Sequence, residues 1–163
     1  MRWLGPTLLL GAILPTAIGC GVYSFSAAGK PVFQSVNIAQ FENRTIEYQL
    51  SDRLTDALID AFIRDNTIPI KEAAKAEALM TGTVTSYRRD PYTYDRQDVV
   101  SEYAVKVSVH LRVVKANSED VIWEDDFFAE GVYNAVDETE EDGQKKVITL
   151  LTANILDRTT KSW

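Results

Sequence analysis

The sequence predicts an α+β fold: a two-layer sandwich in which a mostly antiparallel four-stranded sheet carries two helices packed on one face. Three observations lead there. Tyr103, Val105, Val107, Val109, Leu111 and Val113 alternate with mostly polar residues, the period of a strand buried on one side. Two segments, around Leu54 and around Leu151, repeat apolar residues at spacings of three and four, as a helix with one buried stripe does. The order is strand, helix, several strands, helix, and two helical stripes match one apolar sheet face.

The elements follow in chain order. Residues 1–19 read as a signal peptide, with Arg2 as its positive end and an apolar stretch from Leu4 to Leu14. That stretch is shorter than the roughly 20 residues a membrane-spanning helix needs. Leu14-Pro15-Thr16-Ala17-Ile18-Gly19-Cys20 resembles a bacterial lipobox. Cys20, the only cysteine, is then the acylated first residue of the mature chain. One acyl chain anchors only marginally, at about 0.8 kcal/mol per buried CH₂. The resemblance to bacterial lipoproteins implies a diacylglyceryl thioether plus an N-acyl group such as palmitate. The sorting rules that come with it read Gly21, in place of an aspartate, as an outer-membrane address, and the lack of an acidic run just after Cys20 as the periplasmic side.

Residues 20–31 read as an acylated tether punctuated by Gly29 and Pro31, and residues 32–163 as a single domain. Val32 to Phe41 alternates as a strand, and Glu42-Asn43-Arg44-Thr45 reads as a turn. Leu50, Leu54, Ala57, Leu58, Ala61 and Phe62 predict a helix that ends at Asp65-Asn66, ahead of Pro69. Ile68 to Ile70 suits a short edge strand, where proline is tolerated, and Lys71 to Ala78 a brief helical turn. Thr81, Thr83 and Thr85 favour a strand over Leu79 to Tyr87. Arg88 to Asp98 reads as a polar, aromatic loop around Pro91. The long alternating strand follows. Asn117-Ser118-Glu119-Asp120 joins it to Val121 to Tyr133 as a hairpin. Asp137 to Gly143 reads as an exposed acidic segment, and Gln144 to Lys161 as the second amphipathic helix.

Charge narrows the function. The chain carries 17 Lys and Arg against 24 Asp and Glu, a net charge of −7. Residues 1–19 hold one base and no acid, so their removal leaves −8. A global nucleic-acid binder is usually basic, so no nucleic-acid partner is expected. Acylation consumes the one thiol, and His110 is the one histidine, which leaves no ligand set for a metal. There is no glycine-rich phosphate loop, and Glu138-Thr139-Glu140-Glu141-Asp142 reads as a solvated acidic run. Neither catalytic residues nor a cofactor are expected.

Several motifs in order resemble the LptE family of lipopolysaccharide-assembly lipoproteins. They are Cys20, Gly21, Tyr23 and Phe25; the strand from Val32 to Phe41 with Asn43; Ala76-Glu77-Ala78-Leu79-Met80-Thr81-Gly82; the aromatic stretch Tyr87, Pro91, Tyr92, Tyr94; and Trp123. The resemblance covers nearly the whole mature chain through order and spacing. It implies a non-catalytic outer-membrane lipoprotein that plugs and assists the assembly of a large β-barrel, LptD. It also implies contact with lipopolysaccharide, a polyanion that a chain of charge −8 meets only through a local basic patch, because distant charges are screened beyond about 10 Å.

Two groups of residues offer such a patch. Arg88, Arg89 and Arg96 fall in one stretch with Tyr87, Pro91, Tyr92 and Tyr94. Guanidinium groups bind phosphate bidentately, and tyrosine suits interfaces. The bland alternative pairs these arginines with Asp90, Asp95 and Asp98. Lys106, His110 and Arg112 share the polar face of one strand. They form a basic stripe, or a solvated row with cross-strand partners at Glu124 or Asp126. A lipoprotein of another envelope machine, a secretion pore or a cell-wall synthase activator, also fits Phe41-Glu42-Asn43-Arg44-Thr45 followed by an amphipathic helix.

Overall fold

Three long strands and two helices carry the molecule, seen in a computed structural model that describes residues 32–118 and 120–161. Cys20, the signal peptide and the tether lie outside the described residues. The elements are β1 (Val36–Ile38), β2 (Glu42–Asn43), α1 (Leu50–Asp65), a single 3-10 turn (Ala73–Lys75), β3 (Ala78–Tyr94), β4 (Val100–Lys115), β5 (Val121–Asn134) and α2 (Glu140–Thr160). The sheet order is β1-β3-β4-β5, with β2 also on β3. The α+β expectation holds. The three long strands are antiparallel, but β1 and β2 both run parallel to β3, so the sheet is mixed.

The alternation of β4 translates directly into packing. Val105, Val107, Val109, Leu111 and Val113 are buried, and they meet Leu54, Leu58 and Phe62 of α1 and Val147, Leu151 and Ile155 of α2 in one core cluster. Each such side chain contributes about 1.5–3 kcal/mol when fully buried. The two helices are also tied by a polar contact, Arg53 donating to Gln144 Oε1 at 2.8 Å. Helix α1 ends as expected, with Asn66 in the left-handed conformation (φ 55°) and its amide on Phe62 O.

Four expectations are corrected. The strand predicted over Val32 to Phe41 shrinks to Val36–Ile38; Phe33, Ser35, Val36, Ile38 and Phe41 of that stretch are buried while Val32 is exposed. The chain bends inward there because the Phe41 amide donates to Thr55 Oγ1 of α1 and the Phe41 ring lies over Gly82. A Cβ on Gly82 would meet that ring at 2.7 Å, so the glycine is required by close approach. Next, Glu42–Asn43 is a short strand, and the turn comes after it. Asn43 Oδ1 accepts from the Thr45 amide at 2.9 Å and its Nδ2 donates to Glu47 O at 2.7 Å. Asparagine can turn the chain this way because its side chain mimics a backbone link.

The third correction matters most. The stretch Arg88 to Asp98 is not a loop: β3 continues to Tyr94 and β4 starts at Val100. Pro91 is accommodated beside a register shift between Pro91 and Thr93, where β3 has already lost its β2 neighbour. Finally, the acidic segment before Gln144 belongs to α2. Thr139 caps the helix, accepting from the Asp142 amide while Asp142 accepts from the Thr139 amide, and Gly143 is buried.

Candidate functional site

The extension of β3 and β4 produces a long hairpin that closes between Tyr94 and Val100. Its turn is built by Asp95, whose Oδ1 accepts from the amides of Gln97 and Val99 at 2.8 and 2.9 Å. Asp98 takes a left-handed conformation with φ 58°. Thr93 Oγ1 lies 2.8 Å from both Ser101 Oγ and Glu102 Oε2, which locks the strands together just below the tip. Tyr92 and Tyr94 are 51% and 59% exposed, and Val99 and Pro91 are exposed with them. The tip thus joins exposed tyrosines to the polar turn Asp95-Arg96-Gln97-Asp98, and tyrosine offers contact area at little entropic cost. Of the arginines, Arg88 points to solvent with Asp90 Oδ2 3.8 Å away, and Arg96 sits exposed in the turn.

Tyr87 and Arg89 have a different place. Register sets them opposite Val107 and Val105, on the helix-facing side of the sheet. There Tyr87 donates to Glu140 of α2 and accepts from Gln144 Nε2 at 3.0 Å. Burial, followed by the bond to Glu140, pushes the phenol above its ordinary range, so it stays protonated. Arg89 donates to the Tyr133 hydroxyl, stacks 3.7 Å from the Tyr103 ring centroid and lies 3.6 Å from Glu140. The Tyr133 bond is the main cause that raises its pKa further. These two residues join β3 to the first turn of α2. Their partners Glu140, Gln144 and Tyr133, and Arg53 that donates to Gln144, had no signal of their own in the sequence. The pattern Thr139-x-x-Asp142 did hold a helix-start signal that would have placed Glu140 in α2.

On the outer face of the sheet, away from the helices, the basic row is matched by acids. Lys106 Nζ lies 3.2 Å from Asp90 and 3.6 Å from Glu130. His110 sits between two carboxylates, Nδ1 2.8 Å from Asp126 and Nε2 3.0 Å from Glu124. Its pKa is raised, chiefly by the hydrogen bond to Asp126. Arg112 Nε lies 3.5 Å from Glu124. The structure therefore brings Arg88, Tyr92, Tyr94 and Arg96 toward one end of the molecule and leaves Lys106 and Arg112 in cross-strand pairs. Among the described residues no group of three or more His, Cys, Asp or Glu is arranged to hold a metal, and no helix is long and apolar enough to cross a membrane.

Known proteins give this geometry a setting. Among solved structures, a DUF330 protein from Xanthomonas campestris is 12% identical, with 83% of this chain and 87% of that chain covered and a TM-score of 0.63. A protein from Chlamydia trachomatis is 12% identical, with coverage of 77% and 95% and a TM-score of 0.57. PelC from Paraburkholderia phytofirmans, a dodecamer, is 15% identical, with coverage of 80% and 90% and a TM-score of 0.54. At these identities the likeness is one of fold. No curated protein matches the sequence. The sequence profile of the LptE lipopolysaccharide-assembly family does match, over residues 33–159. That span runs from the residue before β1's approach to the last turn of α2, and on it the chain belongs to the LptE family.

Proposed function

We propose that this chain is a non-catalytic outer-membrane lipoprotein, held on the periplasmic side through acylated Cys20, that plugs a large LptD-like β-barrel and assists its assembly. The barrel delivers lipopolysaccharide to the outer leaflet. The observation that carries the reading is the family match across nearly all described residues. The geometry supports it. Val36 pairs with Ala78, the first residue of β3, whereas the hairpin closes after Tyr94, the last. Val32 and β1 thus lie at one end of β3 and the tyrosine tip at the other, about 50 Å away at roughly 3.3 Å per strand residue.

In this reading Pro91, Tyr92 and Tyr94 contact the barrel, and Tyr87 holds the ribbon's base. Direct lipopolysaccharide contact falls to Arg88 and Arg96, whose guanidinium groups remain exposed. Arg89, Lys106 and Arg112 are already engaged, so a phosphate would have to displace a carboxylate or an aromatic partner. Purification of the chain from outer membranes in mild detergent checks the proposal: one large barrel should accompany it. A secretion pore or a cell-wall synthase in its place would overturn it. For the lipid contact, Arg88→Glu with Arg96→Glu should weaken lipopolysaccharide binding at low salt, and an unchanged affinity would remove that part.

A further inference from the structure

The far edge of the sheet is open. Among the described residues nothing follows β5 in the order β1-β3-β4-β5. Contacts at its upper end show which backbone groups face outward. Lys146 Nζ donates to Val132 O at 2.8 Å, the Asn134 amide donates to Glu138 Oε2 at 2.8 Å, and Asn134 O accepts from the Glu138 amide at 3.1 Å. Val132 and Asn134 therefore turn their backbone away from β4. Inward and outward groups alternate along an antiparallel strand, and the register with β4 is unbroken from Trp123 to Asn134. Glu124, Asp126, Phe128 and Glu130 accordingly face outward too. Among the described residues no turn, loop, cap or side-chain hydrogen bond reaches the backbone of these four.

The two sides of this edge differ in chemistry. On the outer face stand Glu124, Asp126 and Glu130, with Phe128 among them at 59% exposure. The acids are engaged inward by Lys106, His110 and Arg112, but the Asp126 side chain is still 84% exposed. On the helix side a shallow groove of about 510 Å³ runs along Val132, Thr149 and Leu150 and the stems of Lys145 and Lys146. Leu150 is 47% exposed there.

We propose that β5 from Glu124 to Glu130 is a β-augmentation site for an extended protein segment that alternates basic and apolar side chains. The incoming backbone pairs with the four outward residues. Its basic residues then lie on the outer face beside Glu124, Asp126 and Glu130, and its apolar residues turn toward Leu150 and the groove. A second copy of this chain is the wrong occupant. Edge-to-edge pairing of β5 with itself sets acids against acids, which is destabilising. The proposal is independent of the barrel and lipopolysaccharide readings.

Amide exchange of the isotope-labelled full chain tests it, with a short synthetic peptide alternating lysine and valine as probe. The peptide should slow exchange at residues 124, 126, 128 and 130 by about tenfold or more, as backbone pairing does. The same peptide methylated at the backbone nitrogens of its lysines keeps its charge, loses the pairing, and should have no such effect. Asp126→Pro removes one outward amide and spares the bonds to β4, so it should abolish the protection, while Asp126→Asn keeps it. Equal protection by the methylated peptide, no slowing at the four amides, or full protection in Asp126→Pro would overturn the proposal.

Discussion

Tyr87 and Arg89 show how a single residue's side of a strand decides its role. A slip of one position would have put both on the solvent face and turned Arg88 toward the helices. Instead each reaches α2, and Tyr87 both donates and accepts. Tyr87→Phe should destabilise the domain by about 1–3 kcal/mol, because Gln144 and Glu140 lose a partner in a half-buried site. Urea denaturation measures it, and barrel binding should survive. His110 makes a second case. Its folded pKa lies above the ordinary imidazole value of 6.5. Its contribution to stability is therefore fully present below that value and is lost as the pH rises through the folded pKa. Asp126→Asn should move the His110 midpoint down in an NMR titration. An unmoved midpoint would show that Asp126 is not the main cause.

The helices and strands meet closely where α2 crosses β5. A Cβ on Gly131 would clash with Gly143 O and come within 2.9 Å of Val147 Cγ2. Gly131→Ala should therefore cost about 1–3 kcal/mol through forced separation of helix and strand. The cap of α2 is the next point of dependence. Thr139→Ala should cost about 0.5–2 kcal/mol by thermal or urea unfolding. Asp142 is held below its usual 3.8, first by the Thr139 amide. Its share of the cap is present above that value and is lost as the pH falls through the folded pKa, and Glu138, lowered mainly by Lys146, behaves likewise. At this scale the periodic elements were legible: α1, β4 and the hairpin to β5 follow from alternation and helical spacing. The hairpin tip was not, because Pro91 and three charges mask a strand whose pairing is set by β4 rather than by its own composition. β2 escaped for a similar reason, since two residues have no period and only β3 makes them a strand.

Across the whole molecule, the residues that looked basic divide by what surrounds them. Composition supplied the candidates Arg88, Arg89, Arg96, Lys106 and Arg112, but only tertiary contacts show that three are engaged. The order of motifs from the first strand to Trp123 was informative, and the family match covers residues 33–159; the Cys20 to Phe25 motif lies outside it. The tyrosine-rich tip stands at the end of β3 opposite the one where β1 pairs. Replacing Tyr92 and Tyr94 with serine should cut barrel co-purification severalfold while the unfolding midpoint stays put, since both side chains are exposed. The most direct check is photo-crosslinking in intact cells from a reactive group at Tyr94. The expected product is an adduct with one large outer-membrane barrel, absent when the group is placed at exposed Thr81 on the tether half of β3. An adduct from Tyr94 to a secretion-pore or cell-wall component, or no barrel adduct from the tip at all, would contradict it.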